Sequence, residues 1–281
     1  MIGKAVVAML ALAAALADPW SLHAGDTPEA FAVRLKTLDA VVQARPLDLS
    51  AADELARLRL AGASASAADY AARAMRLQTA LTEAEAQIAA LRATDGPPDS
   101  RWIKDRAAAT DPDARDLFTR VDFDQRLMRY DAALDGPEGE ALDAMVEARA
   151  RREIAANADW LKGVLARIGW FDISRHGEEA SQAAWLLVQH ADHDPAWQRA
   201  VLADLKPRVA RGDMQGKYYA YLVDRVAVNA GQPQTYGTQG GCKGPGDWRP
   251  DPVVDPDALD ARRAAVGLEP IEAYRAKFGC R

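Results

Sequence analysis

The sequence predicts an all-α protein, a multi-helix array or bundle that ends in a loop-rich, disulfide-tied segment. Three observations predict it. Apolar residues recur at three- and four-residue spacing over long stretches, capping residues stand before those stretches, and Ala, Leu and Arg dominate the composition. The 281 residues suffice for one large domain or two modest ones. A formal charge of -6 with both signs interspersed describes a solvated surface, and it lacks the basic stripe of a nucleic-acid binder.

Residues 1–17 read as a secretory signal peptide. Lys4 supplies the positive start, Ala5 to Ala17 is an uncharged apolar run, and Ala15-Leu16-Ala17 places small residues where a signal peptidase cuts. That run is shorter than the roughly 20 residues a membrane helix needs, so no stable membrane anchor is expected after cleavage. The expected location is the periplasm or the exterior.

Residues 18–95 form the predicted N-terminal helical region. Thr27-Pro28-Glu29 opens a helix with Thr27 as N-cap and Pro28 at the first helical position, and Phe31, Leu35, Leu38 and Val42 make its apolar stripe. Ser50 is placed to cap a second helix carrying Leu55 and Leu58, closed by Gly62. A third, from about Ala67 to Arg92, has Tyr70, Ala74, Leu77, Leu81, Ile88 and Leu91 along one side. The second and third resemble one unit of a Sel1-type repeat. With no second copy at that period, a plain helical hairpin is expected.

Residues 96–150 are expected to hold connecting helices. Thr94-Asp95-Gly96-Pro97-Pro98-Asp99 reads as a linker, and Asp111-Pro112 restarts a helix that Leu117, Val121, Leu127 and Leu134 continue past Asp135-Gly136-Pro137. A further helix runs from about Glu138 to Arg167. The C-terminal helical domain, 151–281, holds four of the seven tryptophans between Trp160 and Trp197, and five of the seven tyrosines follow Lys217. Aromatic rings bury large areas, so the best-packed core is expected here.

The chemistry concentrates between His176 and Gln239. A helix from about Gly177 to His190 puts Glu179, Ala183, Leu186 and His190 on one line, with Gln182 beside it. Asp194 and Pro195 then cap the next helix, which runs toward Gly212 with a bend expected at Pro207. His190, Asp192, His193 and Asp194 gather at the junction. Imidazole beside carboxylate suits acid–base work or a divalent cation, although His-x-x-His lacks the glutamate and third ligand of the zinc hydrolases. A helix–turn–helix corner, with Asp194 capping, explains the same residues.

A helix from about Gln215 to Asn229 presents Tyr218, Tyr221, Leu222, Arg225 and Val226. The polar loop Gln232 to Gln239 follows. Candidate acid–base residues are His190, Asp192, Asp224 and Arg225. Candidate binding residues are Gln189, Gln198, Tyr221, Tyr236, Thr238 and Gln239. No nucleophile elbow, Walker loop, HExxH or dinucleotide fingerprint occurs, so the sequence names no cofactor and no resident metal. The partner class stays open between a small molecule and an envelope protein.

Trp185 to Gln198, Tyr221-Leu222-Val223-Asp224-Arg225-Val226, Gln234-x-Tyr236-Gly237-Thr238-Gln239 and Arg262-Arg263 to Tyr274 occur in order. Together they resemble a bacterial domain of unknown function covering about residues 170–275. The resemblance implies a mainly helical domain and no known activity. On its pattern His190, Asp192, Asp194, Gln198, Asp224, Arg225, Tyr236 and Gln239 match recurring polar positions, while His176 and His193 do not.

In the tail, Asp255-Pro256 starts a short helix, Gly267 suits its left-handed terminus with Leu268 as the following hydrophobe, and Pro270 begins another turn. Cys242 and Cys280 are expected to pair and to hold the loop past Gln239 in place, as oxidising compartments favour.

Overall fold

The computed structural model describes residues 19–131 and 134–280, so the signal-peptide segment lies outside the described residues. The protein is all-α, with 12 α-helices and one small two-stranded sheet among the described residues. It divides into two compact units. Of the described residues, one unit comprises those up to Asp95 together with those of Gln125–Glu153; the other comprises Gly96–Asp124 and those from Ile154 to Cys280.

In the first unit, α1 (Pro19–Gly25) and α2 (Pro28–Ala44) lie against α3 (Leu49–Gly62), which pairs with α4 (Ala67–Ala93). Thr27 caps α2 through the Ala30 N–H, and Ser66 caps α4 through the Asp69 N–H, both at 3.2 Å. Asp48, not Ser50, caps α3, accepting from the Ala51 N–H at 3.1 Å; its carboxylate starts the helix ahead of the serine. The expected stripe of α2 is only half-buried. The core is built from Leu60, Tyr70, Leu77 and Leu81 with Leu142 and Met145. Glu138 is buried, and Arg73 and Arg76 bond it at 2.7 and 2.6 Å.

In the second unit, α5 (Arg101–Ala108) is a helix that sequence periodicity misses: one turn's worth of apolar residues, Trp102 and Ile103, gives no repeat to read. Next, α6 (Pro112–Leu127) ends earlier than predicted. Tight bonds from the Arg129 and Tyr130 amides back to Arg126 and Leu127 close its last turn, and Leu134 joins the first unit's core instead. Of α7 (Gly136–Ile168), the part from Ile154 onward belongs to the second unit.

Helices α8 (Ile173–Gln189), α9 (Pro195–Arg211) and α10 (Gly216–Asn229) pack on one another. Their core includes Leu161, Trp170, Phe171, Leu187, Leu205 and Leu222, together with Trp102 and Phe118. α8 is interrupted at Gly177, whose φ of 86° and ψ of 164° only glycine adopts readily. Gly212 ends α9 in the left-handed conformation, and Pro207 lies inside that helix.

The sequence reading has no strand, but β1 (Gly240–Gly244) pairs antiparallel with β2 (Asp247–Pro250). At Gly240 a side chain would meet the Arg249 carbonyl, so glycine is required where the two backbones approach. A 3-10 turn (Pro256–Ala258) leads into α11 (Leu259–Ala265). The Leu268 amide bonds the Arg263 carbonyl and the Gly267 amide that of Ala264, the predicted left-handed termination. After α12 (Ile271–Arg275), Cys280 bonds Cys242 with a Cα–Cα distance of 5.6 Å.

Candidate functional site

The corner between α8 and α9 is built as capping logic requires. Asp194 accepts from the Trp197 N–H at 3.0 Å and pairs with Lys162 at 2.9 Å. Those two contacts, the backbone bond first, hold the Asp194 carboxyl below its ordinary range. Beside it, His193 is shifted down by burial and then by the Lys162 charge, which favours the neutral ring.

His190 follows the last turn of α8 and takes a partner that the sequence reading did not name. Its Nδ1 lies 2.8 Å from Oδ2 of Asp124. The Asp124 side chain is 1% exposed and that of His190 15%, so a buried carboxylate orients a partly accessible imidazole. The candidate acid–base carboxylates, Asp192 and Asp224, both bond elsewhere. Asp124 sits in α6, 66 residues away in sequence, and no local spacing links it to His190.

Asp192 is the hub of a polar cluster. Arg225 grips it through Nε at 3.0 Å and through Nη2, Asn229 donates at 2.8 Å, and Gln198 at 3.2 Å. Such a two-point guanidinium contact fixes both side chains. Gln198 is fully buried and also donates to the Val188 carbonyl, and Gln189 is buried beside it. Arg225 then extends Nη1 to Oε1 of Gln239 at 3.4 Å, joining the corner to the polar loop.

That loop is assembled on Asp224. The carboxylate is 0% exposed and accepts the amides of Thr235, Tyr236 and Thr238 at 2.8, 2.9 and 2.9 Å. Three oriented N–H groups satisfy this buried carboxylate, so Asp224 is committed to building the loop. Gln234 completes the frame: its amide donates to the Gln239 and Asp251 carbonyls and accepts the Gln239 N–H. Arg263, wholly buried, holds the Tyr236 carbonyl at 2.6 Å, and the Tyr274 hydroxyl donates to the Thr238 carbonyl at 3.1 Å.

An aromatic chain backs this frame. Trp185 stacks on Tyr218 at 4.5 Å and meets Tyr221, which meets Tyr274, which meets Trp248. Tyr221 therefore acts as half-buried packing beneath the loop. Thr238 is buried, bonded through its hydroxyl to the Gln239 amide. Tyr236 and Gln239 keep part of their surface exposed. Burial, then the Asp224 charge, pushes the Tyr236 phenol up, so it stays protonated and able to donate.

The arrangement is thus one connected polar network rather than a set of groups converging on a reacting atom. His190 and Tyr236 share no hydrogen bond; the Asp192–Arg225–Gln239 relay separates them. Among the described residues, no group of three His, Cys, Asp or Glu side chains is placed to hold a metal ion. A cavity of about 420 Å³ lies elsewhere in this unit, lined by Asp105, Asp111, His176 and Glu179 among others and by none of the predicted site residues.

Residues 113–278 match the Family of unknown function (DUF6624). No curated protein and no solved structure matches the chain. The match covers more than half of the sequence and carries the Asp124–His190 pair, the Asp192–Arg225 contact and the Asp224-anchored loop. The chain belongs to this family of unknown function.

Proposed function

We propose that the protein is an exported helical binding module whose recognition surface is the rim formed by Tyr236, Gln239, Arg225 and the His190 corner. The observation that carries this reading is the Asp224 carboxylate pinning three loop amides. A loop held in this way has lost its conformational freedom before any ligand arrives, so ligand ordering costs less on association. Its partly exposed Tyr236 and Gln239 side chains supply one phenol and one amide, the polar handles of a recognition surface. Export is supported by the Lys4 to Ala17 pattern and by the disulfide, which fits an oxidising compartment.

Two measurements test this reading. Intact mass of protein recovered from a bacterial envelope fraction should correspond to a chain starting near Asp18; a retained N-terminus refutes export. A fragment screen by amide-resolved NMR should yield ligands that perturb residues 235–239 and that Tyr236→Ala abolishes. Ligands that leave those amides unmoved refute the recognition surface.

A second reading rests on one specific contact, the 2.8 Å bond between His190 and buried Asp124. In it His190 is a general base or acid and Asp124, in place of Asp192 or Asp224, fixes its tautomer. Turnover of an activated ester or phosphodiester that His190→Gln eliminates and Asp124→Asn lowers would support it. Equal turnover by all three proteins would end it.

A further inference from the structure

The roughly 420 Å³ cavity of the second unit lies away from the surface just described, and its wall is short of hydrogen-bond partners. Asp105, Asp111 and Glu179 face it with Arg175, so three carboxylates stand against one lining guanidinium. Asp105 Oδ2 is buried with no hydrogen bond; the nearest cation, Arg101 Nε, is 3.8 Å away, beyond donor range. Burial raises the Asp105 pKa against the Arg101 charge, and Glu179 adds repulsion.

His176 supplies an independent sign. Its side chain is 9% exposed, it lines the cavity, its Nδ1 has no partner, and its Nε2 is 3.9 Å from Asp111. Buried polar atoms left unbonded in this way cost stability, and each calls for an explanation such as a bound ion or ligand group. The backbone break at Gly177 lies between His176 and Glu179, in the segment that borders the cavity.

We propose that this cavity binds a small organic cation, an ammonium or guanidinium group on a short aliphatic body. A multi-donor cation can bridge carboxylates that are too far apart to ligate one metal ion, and no metal-holding group of three occurs among the described residues. Its N–H groups supply donors to the carboxylates, and the unbonded His176 ring nitrogen offers a further polar contact. Phe118 offers an aromatic wall to the charge or the aliphatic body, and the volume is at the low end of about 300–1,000 Å³ typical of small-molecule sites.

The test uses the full disulfide-bonded mature chain with agmatine, butylammonium and, as an anionic control, butyrate. Saturable NMR shifts at Asp111 and Arg175–Glu179 with agmatine or butylammonium, and none with butyrate, are expected. Glu179 is exposed, so Glu179→Gln should fold normally and weaken binding about tenfold, the loss of one charge-assisted contact. Asp111→Asn should do the same. The proposal is overturned by butyrate binding as well as the amines, by no saturable shift up to millimolar amine, or by calcium alone binding at these residues. Amine-induced shifts confined to residues 235–239 would also overturn it, while leaving the recognition surface proposed above intact.

Discussion

At the scale of single residues, burial and hydrogen-bond count separate structural carboxylates from those able to act. Asp224 and Asp192 are both candidate acid–base residues by sequence, yet one is buried under three amides and the other is half-exposed against Arg225. Asp224→Ala strands three loop N–H groups, each costing roughly 1–3 kcal/mol when buried and unpaired. Urea unfolding of that variant should therefore show a loss of about 3 kcal/mol or more, with hydrogen-exchange protection lost first across 235–238. Asp213 sets a pH limit. Hydrogen bonds from Ser174 and then Arg211 lower its pKa to about 2. A carboxyl held below its unfolded pKa of about 3.9 stabilises the fold at higher pH, and loses that contribution as pH falls through its folded value. The stability gap between wild type and Asp213→Asn should be full at pH 7 and nearly closed at pH 2, as read from denaturant midpoints.

At the scale of elements, most helices were legible because caps and apolar spacing agree. Thr27 and Asp194 cap as expected, Ser50 yields its place to Asp48, and Gly212 and Gly267 end their helices in the left-handed conformation. The failures have separate local causes. α5 is too short to display a period, and the β1–β2 hairpin runs through Gly240, Gly241 and Gly244, which show no alternation. The end of α6 is decided by closing backbone bonds that no residue type announces. The break in α8 depends on Gly177 at φ 86° and ψ 164°. Gly177→Ala should cost of order 1–3 kcal/mol, since an alanine is strained there. If instead the variant melts at the wild-type temperature, α8 tolerates a straight path through His176.

At the scale of the whole molecule, the disulfide is the long-range tie of the tail. Bridging residues separated by 38 positions stabilises by about 4 kcal/mol in the chain-entropy model. Reduction under native conditions should raise amide exchange in the β-hairpin and α12 while α8 to α10 stay protected. Uniform loss of protection would mean that the bridge supports the entire second unit. Trp248, Tyr274, Phe278 and Cys280 form the small core around the tie, and the Tyr274 hydroxyl reaches the Thr238 carbonyl, so loosening there should reach the loop at residues 235–239.

Helical class, most cap positions and the crowding of functional groups between His176 and Gln239 could be read from the residues, because each depends on neighbours a few positions apart; the cysteine pairing could be read because the sequence holds only two cysteines. Which groups meet could not. Asp124 reaches His190 across 66 residues, Arg225 reaches Asp192 across 33, and the cavity draws Asp105 and Asp111 to His176 and Glu179. Those pairings follow from how whole helices stack, and stacking is set by the summed burial of many side chains, so no local pattern of polar residues encodes them.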